Sequence, residues 1–91
     1  MEYKTIIIKA PKYDPESGLK LECEKGFAIK IRQENGTVIL QANENGLMSL
    51  AKHLIAIANP EVPANIHFHL DDSNSLEEGS SEIIIEKTNT L

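Results

Sequence analysis

Ninety-one residues make one domain: the chain is too short for two independent cores, and its 41 % apolar content excludes intrinsic disorder. Fourteen acids against nine bases leave a net charge of −5, so no basic excess is available for binding nucleic acid directly. The imbalance is local. Residues 1–60 carry eight basic and seven acidic side chains, net +1, whereas residues 61–91 carry Lys87 and seven acids, net −6.

No run of about 18 apolar residues is present, so no membrane span is expected. The start, Met1 to Lys9, lacks the long apolar stretch and small-residue cleavage site of a signal peptide. Cys23 is the one cysteine and has no internal disulfide partner, which favours a reducing, cytoplasmic location.

In chain order, the first strand is predicted over Tyr3–Ala10, followed by a loop containing Pro11 and Pro15. Alternation then places Leu19, Leu21 and Cys23 on one face, with Cys23 read as a small core hydrophobe. A Glu24-Lys25-Gly26 turn would pair these residues with Ile31, Ile29 and Phe27. The next turn is Asn35-Gly36, the strongest two-residue hairpin signal, which pairs Ile31 with Leu40 and Ile29 with Ala42. A one-residue slip in either hairpin would turn the apolar residues outward.

Asn43 and Asn45 both offer an N-cap for the helix that follows. Leu47, Leu50, Ala51, Leu54, Ile57 and Ala58 recur at helical spacing and define the expected buried stripe. Ser49, Lys52, His53 and Ala56 fall on other faces, with His53 at the edge of the stripe. On this assignment Leu54→Ala would cost about 2–5 kcal/mol. Asn59-Pro60 ends the helix, because the residue before proline resists the α conformation.

Asn65–Asp71 is predicted as a strand, with Ile66, Phe68 and Leu70 inward and His67, His69 and Asp71 outward. Asp72–Ser80 is a polar loop. Ser81–Lys87 is the last strand, with Ile83 and Ile85 inward, and Thr88–Leu91 is expected to fray. The predicted fold is a single α+β domain over residues 1–91. It has a mostly antiparallel sheet of about six strands with one helix packed on one face, in the order β-β-β-β-α-β-β.

Two chemistries compete for the second half. His67-x-His69-x-Asp71 places two imidazoles and a carboxylate on one strand face, a set that can bind a transition metal. This is the basis of the alternative function, a small metal-binding protein or metal-dependent enzyme. No C-x-x-C, H-E-x-x-H or glycine-rich phosphate loop accompanies it, and Ser49, Ser80 and Ser81 lack the surroundings of a nucleophile. The other chemistry is binding by charge. Asp71, Asp72, Glu77 and Glu78 form an acidic strip able to steer association with a basic protein surface.

The second half also resembles the immunity protein 32 family of predicted bacterial immunity proteins from polymorphic toxin systems. The likeness rests on Asn45-Gly46-Leu47 leading to Leu50-Ala51 and Leu54, then Pro63 and His67-Phe68-His69-Leu70-Asp71. It continues through Leu76-Glu77-Glu78-Gly79-Ser80-Ser81-Glu82-Ile83-Ile84-Ile85, covering about residues 43–87. The resemblance implies a non-enzymatic protein, without cofactor, that binds and neutralises a cognate toxin. It implies that His67, His69, Asp71, Glu77, Gly79, Ser80 and Glu82 matter, with Gly79 and Ser80 shaping the turn. Combined with the charge map, the expected partner-binding residues are His67, His69, Asp71, Asp72, Glu77, Glu78 and Glu82. The expected partner is a protein toxin, with a nuclease bearing a basic surface as one plausible target.

Overall fold

The computed structural model describes residues 1–91. Two β-hairpins flank one helix: β1 (Ile29–Glu34), β2 (Thr37–Ala42), α1 (Glu44–Ala58), β3 (His67–Leu70) and β4 (Ile83–Glu86). Both pairs are antiparallel, and each forms its own two-stranded sheet. The expected six-stranded sheet is therefore not formed, although the α+β class stands. No helix is long and apolar enough to cross a membrane.

The β1–β2 hairpin follows its turn chemistry. Asn35 and Gly36 both take positive φ, 49° and 79°, as a type I′ turn requires. The register pairs Ile31 with Leu40 and Ile29 with Ala42, as parity predicts. β3 and β4 also fall inside their predicted segments, with Phe68 opposite Ile85 and Leu70 opposite Ile83. Phe68 and Leu70 are buried, while His67 and His69 are exposed.

The two N-terminal strands are the main correction. Residues 1–13 make no backbone–backbone hydrogen bond, so Tyr3–Ala10 has no partner strand. Residues 19–24 do not ladder onto β1 either, although the Lys25-Gly26 turn forms and Phe27 N–H donates to Glu24 O. The reason lies at the outer edge of β1. Glu77 N–H donates to Ile29 O at 2.8 Å, and Ser81 N–H donates to Ile31 O at 2.8 Å. Ile31 N–H is in turn accepted by Ser80 Oγ at 3.2 Å. The segment 77–81 thus occupies the edge that residues 19–24 were expected to take. Leu19, Leu21 and Phe27 still pack against the core, but Cys23 is exposed.

The helix begins at Asn43, which resolves the choice of cap. Its Oδ1 accepts from Gly46 N–H at 2.7 Å and from Ala28 N–H at 3.0 Å, and its Nδ2 donates to Gly26 O at 2.9 Å. One side chain therefore joins the helix start to the entry of the first hairpin. Gly46 lies so close to that hairpin that an added Cβ would stand 2.5 Å from Ala28 O and 3.0 Å from Ile29 Cγ1.

The buried face of α1 is Gly46, Ser49, His53, Ala56 and Ile57. Of the expected stripe, Ile57 is buried and Leu50 packs against the core, but Leu47 and Leu54 are 53 % and 48 % exposed. Close approach at Gly46 and polar contacts from Ser49 and His53 set the rotation of the helix, leaving Leu47 and Leu54 outside. Ile29, Ile31, Ile57, Val62, Phe68, Leu70 and Leu76 form the core. Lys87 closes the far end, its Nζ donating to Asn59 O at 2.8 Å and Val62 O at 2.7 Å.

These contacts make opposite demands at two positions of α1. Gly46→Ala is expected to lower stability by about 1–3 kcal/mol, because backbone must move to admit the methyl. Leu54→Ala is expected to change it by about 0.5 kcal/mol, as at an ordinary surface site. Urea denaturation of the two variants measures both.

Candidate functional site

The acidic strip begins where β3 ends. Asp71 Oδ1 accepts from Ser73 N–H at 2.9 Å, Ser73 Oγ at 2.7 Å and Asn74 N–H at 3.0 Å. The Ser73 hydroxyl, followed by the Ser73 amide, holds the Asp71 carboxyl below the usual carboxylate range. Its charge is fixed, but one oxygen is already engaged in closing its own turn. Asp72 Oδ2 likewise accepts from Gly79 N–H at 3.2 Å across the loop.

The next stretch divides its atoms between two tasks. The backbone of residues 77–81 bonds to β1, while the Glu77 and Glu78 residues are exposed. Ser80 N–H donates to Glu77 O at 3.1 Å, closing the turn that contains Gly79. Lys30 Nζ donates to Glu78 O, holding this turn from the β1 side. Glu77 and Glu78 are therefore presented on backbone that is pinned at both ends. The Leu-Glu-Glu-Gly-Ser-Ser motif works here as a staple between the two hairpins, with Gly79 and Ser80 in the turn as expected.

On the outer face of β3, the His67 and His69 rings stand 5.1 Å apart, edge to face. His67 Nδ1 lies 3.3 Å from Asn65 O, and His69 Nδ1 lies 3.4 Å from Glu82 Oε2. Glu86 is opposite His67 in the register, and Ile84 is opposite His69. The structure thus brings His67, His69 and Glu82 onto one exposed face beside the acidic loop. It does not bring Asp71 into a common set of ligands with the two imidazoles. No group of three or more His, Cys, Asp and Glu side chains is gathered to hold a metal ion.

Three polar residues of α1 have a role that the apolar pattern did not single out. Ser49 Oγ accepts from Glu24 N–H at 2.7 Å and donates to Asn45 O at 2.8 Å. Lys52 pairs with Glu22 and Glu24 at 3.7 and 3.6 Å. His53 Nε2 lies 3.7 Å from Cys23 Sγ. Spaced i, i+3 and i+4, they form one helical face that clamps residues 22–24. That spacing was itself a signal, hidden by the stronger leucine pattern beside it.

His53 is 1 % exposed rather than at the surface, and its ring meets Phe68 edge-on at 5.8 Å. Its Nδ1 has no hydrogen-bond partner. Burial, followed by the nearby Lys52 charge, pushes its pKa below the ordinary 6.5. The imidazole is neutral in the fold and serves packing.

The sequence pattern of the immunity protein 32 family matches residues 37–88. The matched span begins at β2 and takes in the helix, the His-x-His-x-Asp strand, the acidic loop and β4. No curated protein and no solved structure gives a significant match to the chain.

The buried neutral histidine gives stability a definite pH dependence. The unfolded chain protonates His53 near pH 6.5 while the folded chain resists, so acidification favours unfolding. Stability is therefore expected to be complete above pH 6.5 and to fall as pH drops below it towards the depressed folded pKa. Chemical denaturation between pH 7.5 and 5 is expected to show this slope in the parent and a flatter one in His53→Gln.

With more than half its length matched, from the β2 edge through the stapled acidic loop to the end of β4, the chain belongs to the immunity protein 32 family.

Proposed function

We infer that this protein neutralises a cognate protein toxin by stoichiometric binding, and that the face built by the acidic loop and β3 makes the contact. Family membership supports the immunity role. The observation that carries the choice of face is the exposure of Glu77 and Glu78 on backbone fixed to Ile29 and Ile31. Charges on an ordered loop keep their spacing before contact, so little conformational entropy is lost on binding.

The contact residues in this account are Asp72, Glu77, Glu78 and Glu82, flanked by His67 and His69. Asp71 supports them by shaping the turn with the oxygen that Ser73 and Asn74 engage. The partner is a toxin with a basic surface, of which a nuclease is the chemically natural case because its active site must accept phosphate. Carboxylates presented there repel no basic side chain and can cover the site, so occlusion requires no catalysis by the immunity protein. Steering by the −6 net charge of residues 61–91 speeds encounter at low salt.

Co-expression with the toxin encoded beside this gene is expected to restore growth. Persistent toxicity despite abundant folded protein would reject the reading. With purified partners, the triple variant Glu77→Gln, Glu78→Gln, Glu82→Gln is expected to weaken binding about tenfold at low salt. Unchanged affinity in calorimetry would remove these side chains from the interface.

A further inference from the structure

Backbone hydrogen bonding is unevenly distributed along this chain. The structure has 34 backbone–backbone bonds, where about 60 is usual for this length, and none involves residues 1–13. That unbonded segment contains Ile6-Ile7-Ile8, a strongly strand-forming triplet. Ile6 and Ile7 are 62 % and 83 % exposed. Ile7, Ile8 and Lys9 line a shallow groove with Met48 and Lys52 of α1, with no strand beside them.

β2 has the complementary vacancy. It pairs with β1 along one edge, and its other edge has no strand partner. Val38 and Leu40 lie on the same face as Ile29 and Ile31, yet are 58 % and 40 % exposed. An open, apolar edge of this kind is a template for another strand.

Two features match the segment to the edge. Extended, Ile6-Ile7-Ile8 projects two apolar side chains to one face and one to the other. Val38-Ile39-Leu40 does the same, so Ile6 and Ile8 would extend the face of Val38 and Leu40 while Ile7 meets Ile39. Charge agrees as well: Lys4, Lys9 and Lys12 against Glu2 give residues 1–13 a net +2, leaving −7 on the remaining residues. β2 itself carries no charged side chain, so nothing on this edge repels the basic arm. We propose that two copies of this chain exchange these segments, residues 3–10 of each adding as a strand to the open β2 edge of the other. Because the exchange is reciprocal, both arms and both β2 edges are taken up within one two-fold dimer.

The test is light scattering on the purified full chain at about 100 µM, which populates a dimer of micromolar Kd. Ile7→Lys and Val38→Lys, both at exposed positions, are run beside it. The parent is expected at twice the 10.1 kDa chain mass, and each variant at the single-chain mass with an unchanged circular dichroism spectrum. A monomeric parent overturns the proposal, as does a dimer that survives either substitution. Survival of Val38→Lys alone would place the arm on some surface other than β2. None of these outcomes depends on whether a toxin is bound.

Discussion

β1 is hydrogen-bonded along both edges, and the rest of the fold depends on that. A two-stranded hairpin alone is marginal in water. Here β2 satisfies one edge of β1, while Glu77, Ser80 and Ser81 satisfy the other at Ile29 and Ile31. Those two isoleucines are each 1 % exposed and sit at the centre of the core. The staple therefore does two things at once. It gives the buried backbone its partners, and it carries the chain from β3 along the edge of β1 into β4. Without it, the two sheets would share only side-chain packing and the helix between them.

Local chemistry made much of this legible. Asn35-Gly36 specifies a tight turn, and only one register then puts Ile29, Ile31, Leu40 and Ala42 on a common face. The alternation at Ile66–Asp71 and the Asn59-Pro60 stop act over a few residues, and β3 and the helix end lie inside their predicted spans. The competition for the outer edge of β1 was not legible. Residues 19–24 and 77–81 both offer extended backbone, and parity within a hairpin cannot weigh a nearby segment against one some fifty residues away. The orientation of α1 failed for a related reason. A leucine stripe indicates the buried face only when packing decides the rotation, and here Gly46 against Ala28 O and the bonds of Ser49 decide it.

The candidate site shows the same division. The acidic residues and the His-x-His strand were visible as charge and period, and the structure places them on neighbouring exposed surfaces. Their separate tasks were not visible. Asp71 and Asp72 use carboxylate oxygens to hold the loop, whereas Glu77 and Glu78 lend their backbone to β1 and their residues remain exposed. Fixing the fold and presenting charge are thus carried out by different atoms of one short motif. Gly79 and Ser80 set the path that the glutamates follow.

Amide hydrogen exchange at Glu77 and Ser81 tests the staple most directly. If their N–H groups bond to Ile29 and Ile31 as described, they exchange within about tenfold of the β1–β2 ladder amides, because breaking them requires opening the same core. Exchange at the rate of unbonded surface amides would contradict the account: the acidic loop would then hang free of β1, and its charges would have no fixed spacing.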